Sequence, residues 1–243
     1  MNFALVLAGG VGSRMGADVP KQFIEVNGKP IIIYSLEAFS KHSEIDGIFV
    51  VCIEEWQEEL LRMIKAFGVE KVLGVLSQGK DRRESSLIGV NAVSSYLTEK
   101  GEQLSEHTVL IHDAARPLVT AEIISRNIWD AKQYGACETV CKMADTVIKS
   151  DDGFTYSPSD IVPRGNLSRV QTPQSFIVSE IAEAHKHYEE AMRVSPDSVP
   201  EITDDAGLML FCKKPVKLTE GSSLNIKLTT KEDIDFFAAM TRS

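Results

Sequence analysis

Apolar residues fall in two rhythms along this chain. Residues 3–8 are apolar without a break, Phe3-Ala4-Leu5-Val6-Leu7-Ala8, and the run stops at Gly9-Gly10. Residues 47–53 repeat the pattern, and residues 69–75 and 108–112 read as two further short strands. Unbroken apolar strands are expected where helices cover both faces of a sheet. Between these runs the apolar positions recur at helical spacing. This predicts helices over 30–40 and 55–67, from the polar loop 78–86 to about Tyr96, and onward from Thr120. Their inward stripes are Ile33, Leu36 and Phe39; Leu60, Leu61, Ile64 and Phe67; and Ile124, Ile128 and Ala131. Pro30 suits the first helical position, where its missing N–H costs nothing.

Strand and helix alternate four times in this way, which implies right-handed crossovers and a mainly parallel sheet. The fold class is α/β, a Rossmann-like sheet with helices on both faces, and residues 1–243 read as one domain. The rhythm breaks after Cys141. Residues 143–166 read as a protruding β arm, with a hairpin turn at Asp151-Asp152-Gly153. Such an arm buries little alone, so it is expected to pack on a second subunit as a homodimer. Beyond it, Leu167–Phe176 returns to the core and Ser179–Met192 is an amphipathic helix. Thr203-Asp204-Asp205 starts a helix to about Cys212, and 216–218 and 224–228 are late strands. Thr229 and Glu232 have the spacing of a capping box for a last helix.

Composition narrows the field. The net charge of −9 argues against a nucleic-acid-coating surface, so any phosphate site must be a local basic pocket in an acidic field. No apolar run approaches the roughly 18 residues of a membrane span. Cys52, Cys137, Cys141 and Cys212 form no CxxC pair and read as small hydrophobes in a reducing cytoplasm. His42, His107, His185 and His187 form no metal-ligand pattern.

The chemistry gathers where strands end. Gly9-Gly10-Val11-Gly12-Ser13-Arg14-Met15-Gly16 lacks the Lys of a P-loop, and Met15 stands where a dinucleotide fingerprint needs its last glycine. What remains is a glycine turn followed by two cations, Arg14 and Lys21. Backbone amides there can cradle a nucleotide while the cations neutralise a triphosphate; the plain alternative is a turn with solvated cations. Asp113 ends an apolar strand, where open α/β sheets bind ligands. It can hold Mg²⁺, which favours one or two carboxylates plus phosphate oxygens. Gly79-Lys80-Asp81-Arg82-Arg83-Glu84-Ser85 also follows a strand, and its backbone with Ser85 can bond a pyrimidine edge; Arg83 and Glu84 read as solvated charge.

In order along the chain stand Leu-Ala-Gly-Gly-Val-Gly-Ser-Arg-Met-Gly, Pro-Lys-Gln-Phe, Asp-Arg-Arg-Glu-Ser-Ser, His-Asp-Ala-Ala-Arg-Pro, Gln-Thr-Pro-Gln-Ser-Phe, Ile-Thr-Asp-Asp-Ala and Asn-Ile-Lys-Leu-Thr-Thr. This series resembles the CTP-dependent polyol-phosphate cytidylyltransferases over nearly the whole chain. The resemblance implies transfer of CMP from CTP to a polyol phosphate, with Mg²⁺ as cofactor. It gives Arg14, Lys21 and Lys227 the charge-stabilising roles and Ala8, Gly9, Gly10, Gly79 and Ser85 the cytidine site. Asp113 would hold the metal. Arg164 would bind the acceptor phosphate, and Arg116 and Thr146 would reach the acceptor from the neighbouring subunit. Asp113-Ala114-Ala115-Arg116-Pro117 and residues 220–230 are similar to the methylerythritol-phosphate enzymes of isoprenoid synthesis, whereas Pro163 before Arg164 is similar to the ribitol-phosphate group. The implied acceptor is the methylerythritol phosphate, with ribitol phosphate as the alternative. A non-catalytic nucleotide-binding regulator on the same fold is disfavoured by the presence of all three cations.

Overall fold

The structure is a computed structural model that describes residues 1–10, 19–150, 153 and 161–242, with backbone alone at 161 and 164. In chain order the elements are β1 (Asn2–Ala8), β2 (Glu25–Val26), β3 (Lys29–Pro30), α1 (Ile31–Ser40), β4 (Gly47–Cys52), α2 (Gln57–Ala66), β5 (Val72–Ser77), α3 (Arg82–Glu99), β6 (Thr108–Asp113) and α4 (Ala121–Tyr134). There follow β7 (Ala136–Lys142), β8 (Val147–Ile148), β9 (Ile161–Val162), β10 (Ser168–Ile177), α5 (Val178–Val194), α6 (Asp205–Phe211), β11 (Lys217–Glu220) and α7 (Lys231–Met240).

One seven-stranded sheet runs in the order β11-β7-β10-β6-β1-β4-β5. β1 pairs parallel with both β4 and β6, β4 with β5, and β11 with β7. β10 runs antiparallel to both β6 and β7. The sheet is therefore mainly parallel, with one reversed strand joining its two parallel parts. Side-chain alternation explains the layers. Ala4, Val6 and Ala8 of β1, with Ile48, Val50 and Cys52 of β4, pack under α1, α2 and α4. Phe3, Leu5, Phe49 and Val51 face the other way, against Val90, Val93 and Leu97 of α3 and Ile181 and Ala184 of α5. All residues of β4 and β6 are buried, as unbroken apolar runs require.

Several expectations shift in detail. Pro30 is the N-cap of α1, with φ −59 and ψ 140, so the helix starts one residue later. Leu61 and Phe67 point outward, and α2 buries Leu60 and Ile64. Cys52 and Cys137 are buried, while Cys141 and Cys212 are half-buried. Residues 224–228 are not a strand. Ile226 and Leu228 turn into a small core with Ile31 and Phe237, and packing there replaces ladder pairing. The segment is pinned by isolated bonds instead: Leu228 N–H donates to the Ala115 carbonyl at 2.8 Å, and Asn225 Nδ2 donates to the Thr172 carbonyl at 2.9 Å. The capping box is Thr230 with Asp233, one residue beyond the expected pair.

β8 and β9 pair antiparallel as a separate two-stranded sheet, within the expected arm. Of the expected turn, Gly153 is described, with φ +76; Asp151 and Asp152 lie outside the described residues. Among the described residues, no helix is long and apolar enough to cross a membrane.

Gly89 fixes the approach of α3 to the sheet. A Cβ there would sit 2.2 Å from Leu5 Cδ1 on β1. Gly89→Ala is expected to destabilise the protein by about 1–3 kcal/mol through overpacking, despite about 1 kcal/mol of gained helix propensity. Urea unfolding would measure this, and an unchanged or raised midpoint would contradict it.

Candidate active site

The site lies at the carboxyl ends of β1, β5 and β6, where parallel strands leave a crevice for ligands. A pocket of about 370 Å³ is lined by Ala8, Gly9, Gly10, Lys21, Gly79, Arg82, Ser85, Asp113, Ala114, Ala115 and Lys227, among others. Eight of the positions implied by resemblance thus meet in one cavity: Ala8, Gly9, Gly10, Lys21, Gly79, Ser85, Asp113 and Lys227.

The backbone explains why they meet. Gln22 is buried and donates its side-chain amide to the Ala8 carbonyl at 2.6 Å, tying the Pro-Lys-Gln-Phe turn to the end of β1. Phe23 stacks on Trp56 with ring centroids 4.5 Å apart, which fixes the turn from below. Lys21 thereby enters the pocket and donates to the Leu228 carbonyl at 3.1 Å. Gly79 has no room for a side chain, since a Cβ would lie 2.8 Å from the Glu84 backbone carbon. Its N–H donates to Ser85 Oγ at 3.1 Å, and Ser85 donates to the Asp81 carbonyl at 2.8 Å. Asp81 caps α3 by accepting from Glu84 N at 2.7 Å, so the loop is held at both ends.

Asp113 is the electrostatic centre. Lys227 Nζ lies 2.8 Å from its Oδ2, Arg82 Nε 3.7 Å from its Oδ1, and Arg116 Nε 3.9 Å from its Oδ2. Burial alone would raise the carboxyl's pKa, but Lys227, Arg82 and Arg116 outweigh it and hold the group well below the usual carboxylate range. Asp113 is therefore ionised at any working pH. Behind it His112 is pushed down to about 4 by burial, and its ring nitrogens meet Thr172 Oγ1 and the Arg116 carbonyl, each at 3.1 Å. A neutral imidazole there braces the strand end.

The donor set suits a magnesium ion. Among the described residues no group of three or more His, Cys, Asp or Glu side chains could cage a metal. Asp113, with Asp81 engaged in capping α3, fits an ion that takes most of its remaining ligands from phosphates and water.

The other implied positions stand elsewhere. Arg14 lies outside the described residues. Arg164 opens a short 3₁₀ turn after β9, and Thr146 is exposed just before β8, both on the arm. Arg116 turns toward its own chain's Asp113 and donates to the Asn225 and Val170 carbonyls at 2.9 and 3.3 Å. Arg82 is the functional candidate that sequence reasoning missed. It sits beside Arg83 and Glu84, which read as solvated charge, and has no role of its own in that reading, yet burial and two carboxylates enclose it. Asp205 and Asp113 together raise its pKa against the opposing effect of burial.

A crevice of glycine turns and cations around one ionised carboxylate, at the ends of parallel strands, defines a nucleotide-handling α/β enzyme. The profile of the family described as IspD, 2-C-methyl-D-erythritol 4-phosphate cytidylyltransferase, matches residues 3–242. The chain is 36% identical over 243 residues to the ribitol-5-phosphate cytidylyltransferase of Vibrio parahaemolyticus, covering 99% of this chain and 95% of that one. It is 38% identical over 235 residues to the 2-C-methyl-D-erythritol 4-phosphate cytidylyltransferase of Clostridium tetani, covering 97% and 88%. The crystal structure of 4-diphosphocytidyl-2C-methyl-D-erythritol synthase from Anaerococcus prevotii is similar with a TM-score of 0.79 at 27% identity, covering 99% and 95%. The chain belongs to the IspD family and is a CTP-dependent polyol-phosphate cytidylyltransferase.

One acid beside the site titrates near neutrality. Burial and the neighbouring Asp204 push Glu138 up to about 7, although it accepts a bond from Gln174 Nε2 at 2.5 Å. Its native pKa exceeds the ordinary 4.5, so the folded state keeps the proton longer. Glu138's contribution to stability is fully present below about pH 4.5 and is lost as pH rises through about 7. Glu138→Gln should remove most of this fall and stabilise the protein at pH 8 by about 1–2 kcal/mol, discounted for partial exposure. Denaturant midpoints at pH 5 and pH 8 would measure it, and an undiminished pH dependence in the variant would contradict the assignment.

Proposed function

We propose that the acceptor is 2-C-methyl-D-erythritol 4-phosphate and that the pocket at Asp113 is where CMP is transferred to it. A phosphate oxygen of the acceptor attacks the α-phosphorus of CTP; the new P–O bond forms as the bond to the β-phosphate's bridging oxygen breaks, and pyrophosphate leaves with the electron pair. Such chemistry depends on in-line positioning and on charges aimed where charge develops. The convergence of Lys21, Lys227 and Asp113 beside the Gly79–Ser85 loop is the observation that carries this reading.

In this mechanism the backbone at Ala8, Gly9, Gly10 and Gly79, with Ser85, holds the cytidine. Lys21 neutralises the triphosphate and the charge that builds at the α-phosphorus, with Arg14 as its expected partner. Lys227 adds a third cation near the α-phosphate. Asp113 would hold Mg²⁺, which when bound screens the phosphate charge. The acceptor phosphate meets Arg164, Thr146 approaches it from a second copy of the chain through the 143–166 arm, and Arg116, expected to come from that copy, stays beside its own chain's Asp113.

The methylerythritol acceptor is supported by Ala114 and Ala115, which form a small-residue wall of the pocket next to Asp113. A ribitol phosphate acceptor is favoured by Pro163 before Arg164 on the arm and by the relatives of that name, including one from Lacticaseibacillus paracasei at 36% identity. Pyrophosphate release from CTP, measured with each polyol phosphate in turn, decides between them. Release with 2-C-methyl-D-erythritol 4-phosphate is expected. Release with ribitol 5-phosphate alone would reverse the acceptor, and release with neither would remove the site assignment.

Lys21→Ala should lower kcat about a hundredfold or more, the usual cost of losing a charge-stabilising donor. Near-normal kcat in that variant would refute the role.

A further inference from the structure

We infer that Asp205 is a positioning residue for the transfer reaction, acting through Arg82 on Asp113; the inference rests on the reading of the site given above. Asp205 is 1% exposed at the first turn of α6. An ionised carboxylate so buried costs several kcal/mol unless it is paired and hydrogen-bonded. It is not there to cap the helix, because Asp204 does that by accepting from Gly207 N at 2.8 Å. Its two oxygens have other partners. Ser86 Oγ donates to Oδ1 at 2.5 Å, and Arg82 Nη1 donates to Oδ2 at 2.8 Å. Its own backbone N–H donates to Gln174 Oε1 at 3.1 Å, which ties α6 to β10.

The consequence appears at the other edge of the Arg82 guanidinium. Nε lies 3.7 Å from Asp113 Oδ1, beyond hydrogen-bond distance, while Nη1 is tightly bonded to Asp205. The planar fork is shared by two buried carboxylates, and the more deeply buried one, Asp205, holds it. Asp205 therefore draws Arg82 back from Asp113. The Arg82 charge still keeps Asp113 ionised, but Oδ1 stays open to ligands in the pocket. Without that pull, Arg82 would close onto Asp113 as an ordinary ion pair and cover the oxygen. The three elements involved, α3, α6 and β6, are far apart in sequence, and Arg82 is the link between them.

The test uses the full-length enzyme with Asp205→Asn and Arg82→Lys. For each, kcat is measured by pyrophosphate release, the affinity for CTP by calorimetry, and thermal stability by melting. Lysine keeps the charge but has no fork to span two carboxylates, so Arg82→Lys reads the same geometry should Asp205→Asn fold poorly. Expected is a fall in kcat of about tenfold or more from mispositioning. CTP should bind at least as tightly to Asp205→Asn, since the carboxylate that pairs with Arg82 behind the pocket is removed. A simple structural brace predicts another pattern: kcat, CTP affinity and melting temperature falling together in both variants, which would overturn the inference. So would a kcat within about twofold of the unmodified enzyme in both. An unmodified enzyme that releases no pyrophosphate with either acceptor contradicts the functional reading itself, and is distinguished because no variant is needed to see it.

Discussion

A buried carboxylate surrounded by cations from separate parts of the chain is the constraint on which this structure turns. Asp113 ends β6, and the charges facing it come from residues 82, 116 and 227. An unpaired buried charge would cost several kcal/mol, so the segments carrying Arg82 and Lys227 are needed beside the 113–116 turn. Their arrival explains features that packing alone does not require. The chain after β11 gives up regular structure to bring Lys227 across, and the first turn of α3 begins immediately at the pocket. The Ala115 carbonyl accepts from Leu228 N–H at 2.8 Å, closing the ring of segments around the acid.

The sheet serves the same end. Three parallel strands, β6, β1 and β4, give unbroken apolar cores and leave their carboxyl ends on one side. The reversed strand β10 then carries Thr172 behind Asp113, where its hydroxyl accepts from the Asp113 N–H at 3.1 Å. Strand polarity and site chemistry are thus one problem: a carboxylate at a parallel strand end needs a neighbour that reaches it from the opposite direction.

Most of the scaffold was legible in the sequence. Apolar runs located β1, β4 and β6, and helical spacing located α1 to α5. Glycines and lysines at strand ends located the pocket, and the ordered motifs located its family. What was hidden had physical causes. Leu224, Ile226 and Leu228 alternate as a strand does, but Ile226 and Leu228 meet a helix-lined core rather than a neighbouring strand. Thr229/Glu232 and Thr230/Asp233 offer overlapping capping spacings, and local geometry alone chooses the second. The reversal of β10 leaves no trace in composition. Arg82 stands in Lys80-Asp81-Arg82-Arg83-Glu84, where sequence cannot show that one of five charged residues points inward to Asp205.

The central claim is that the ionised Asp113 carboxylate among its cations is where the transfer happens. Asp113→Asn keeps the shape of the side chain and removes its charge, leaving three cations without their common partner. The most direct measurement is kcat for pyrophosphate release alongside the affinity of the variant for CTP. The account predicts a kcat lower by about a hundredfold or more, with CTP bound at least as tightly as before. A variant that turns over near the unmodified rate would contradict it.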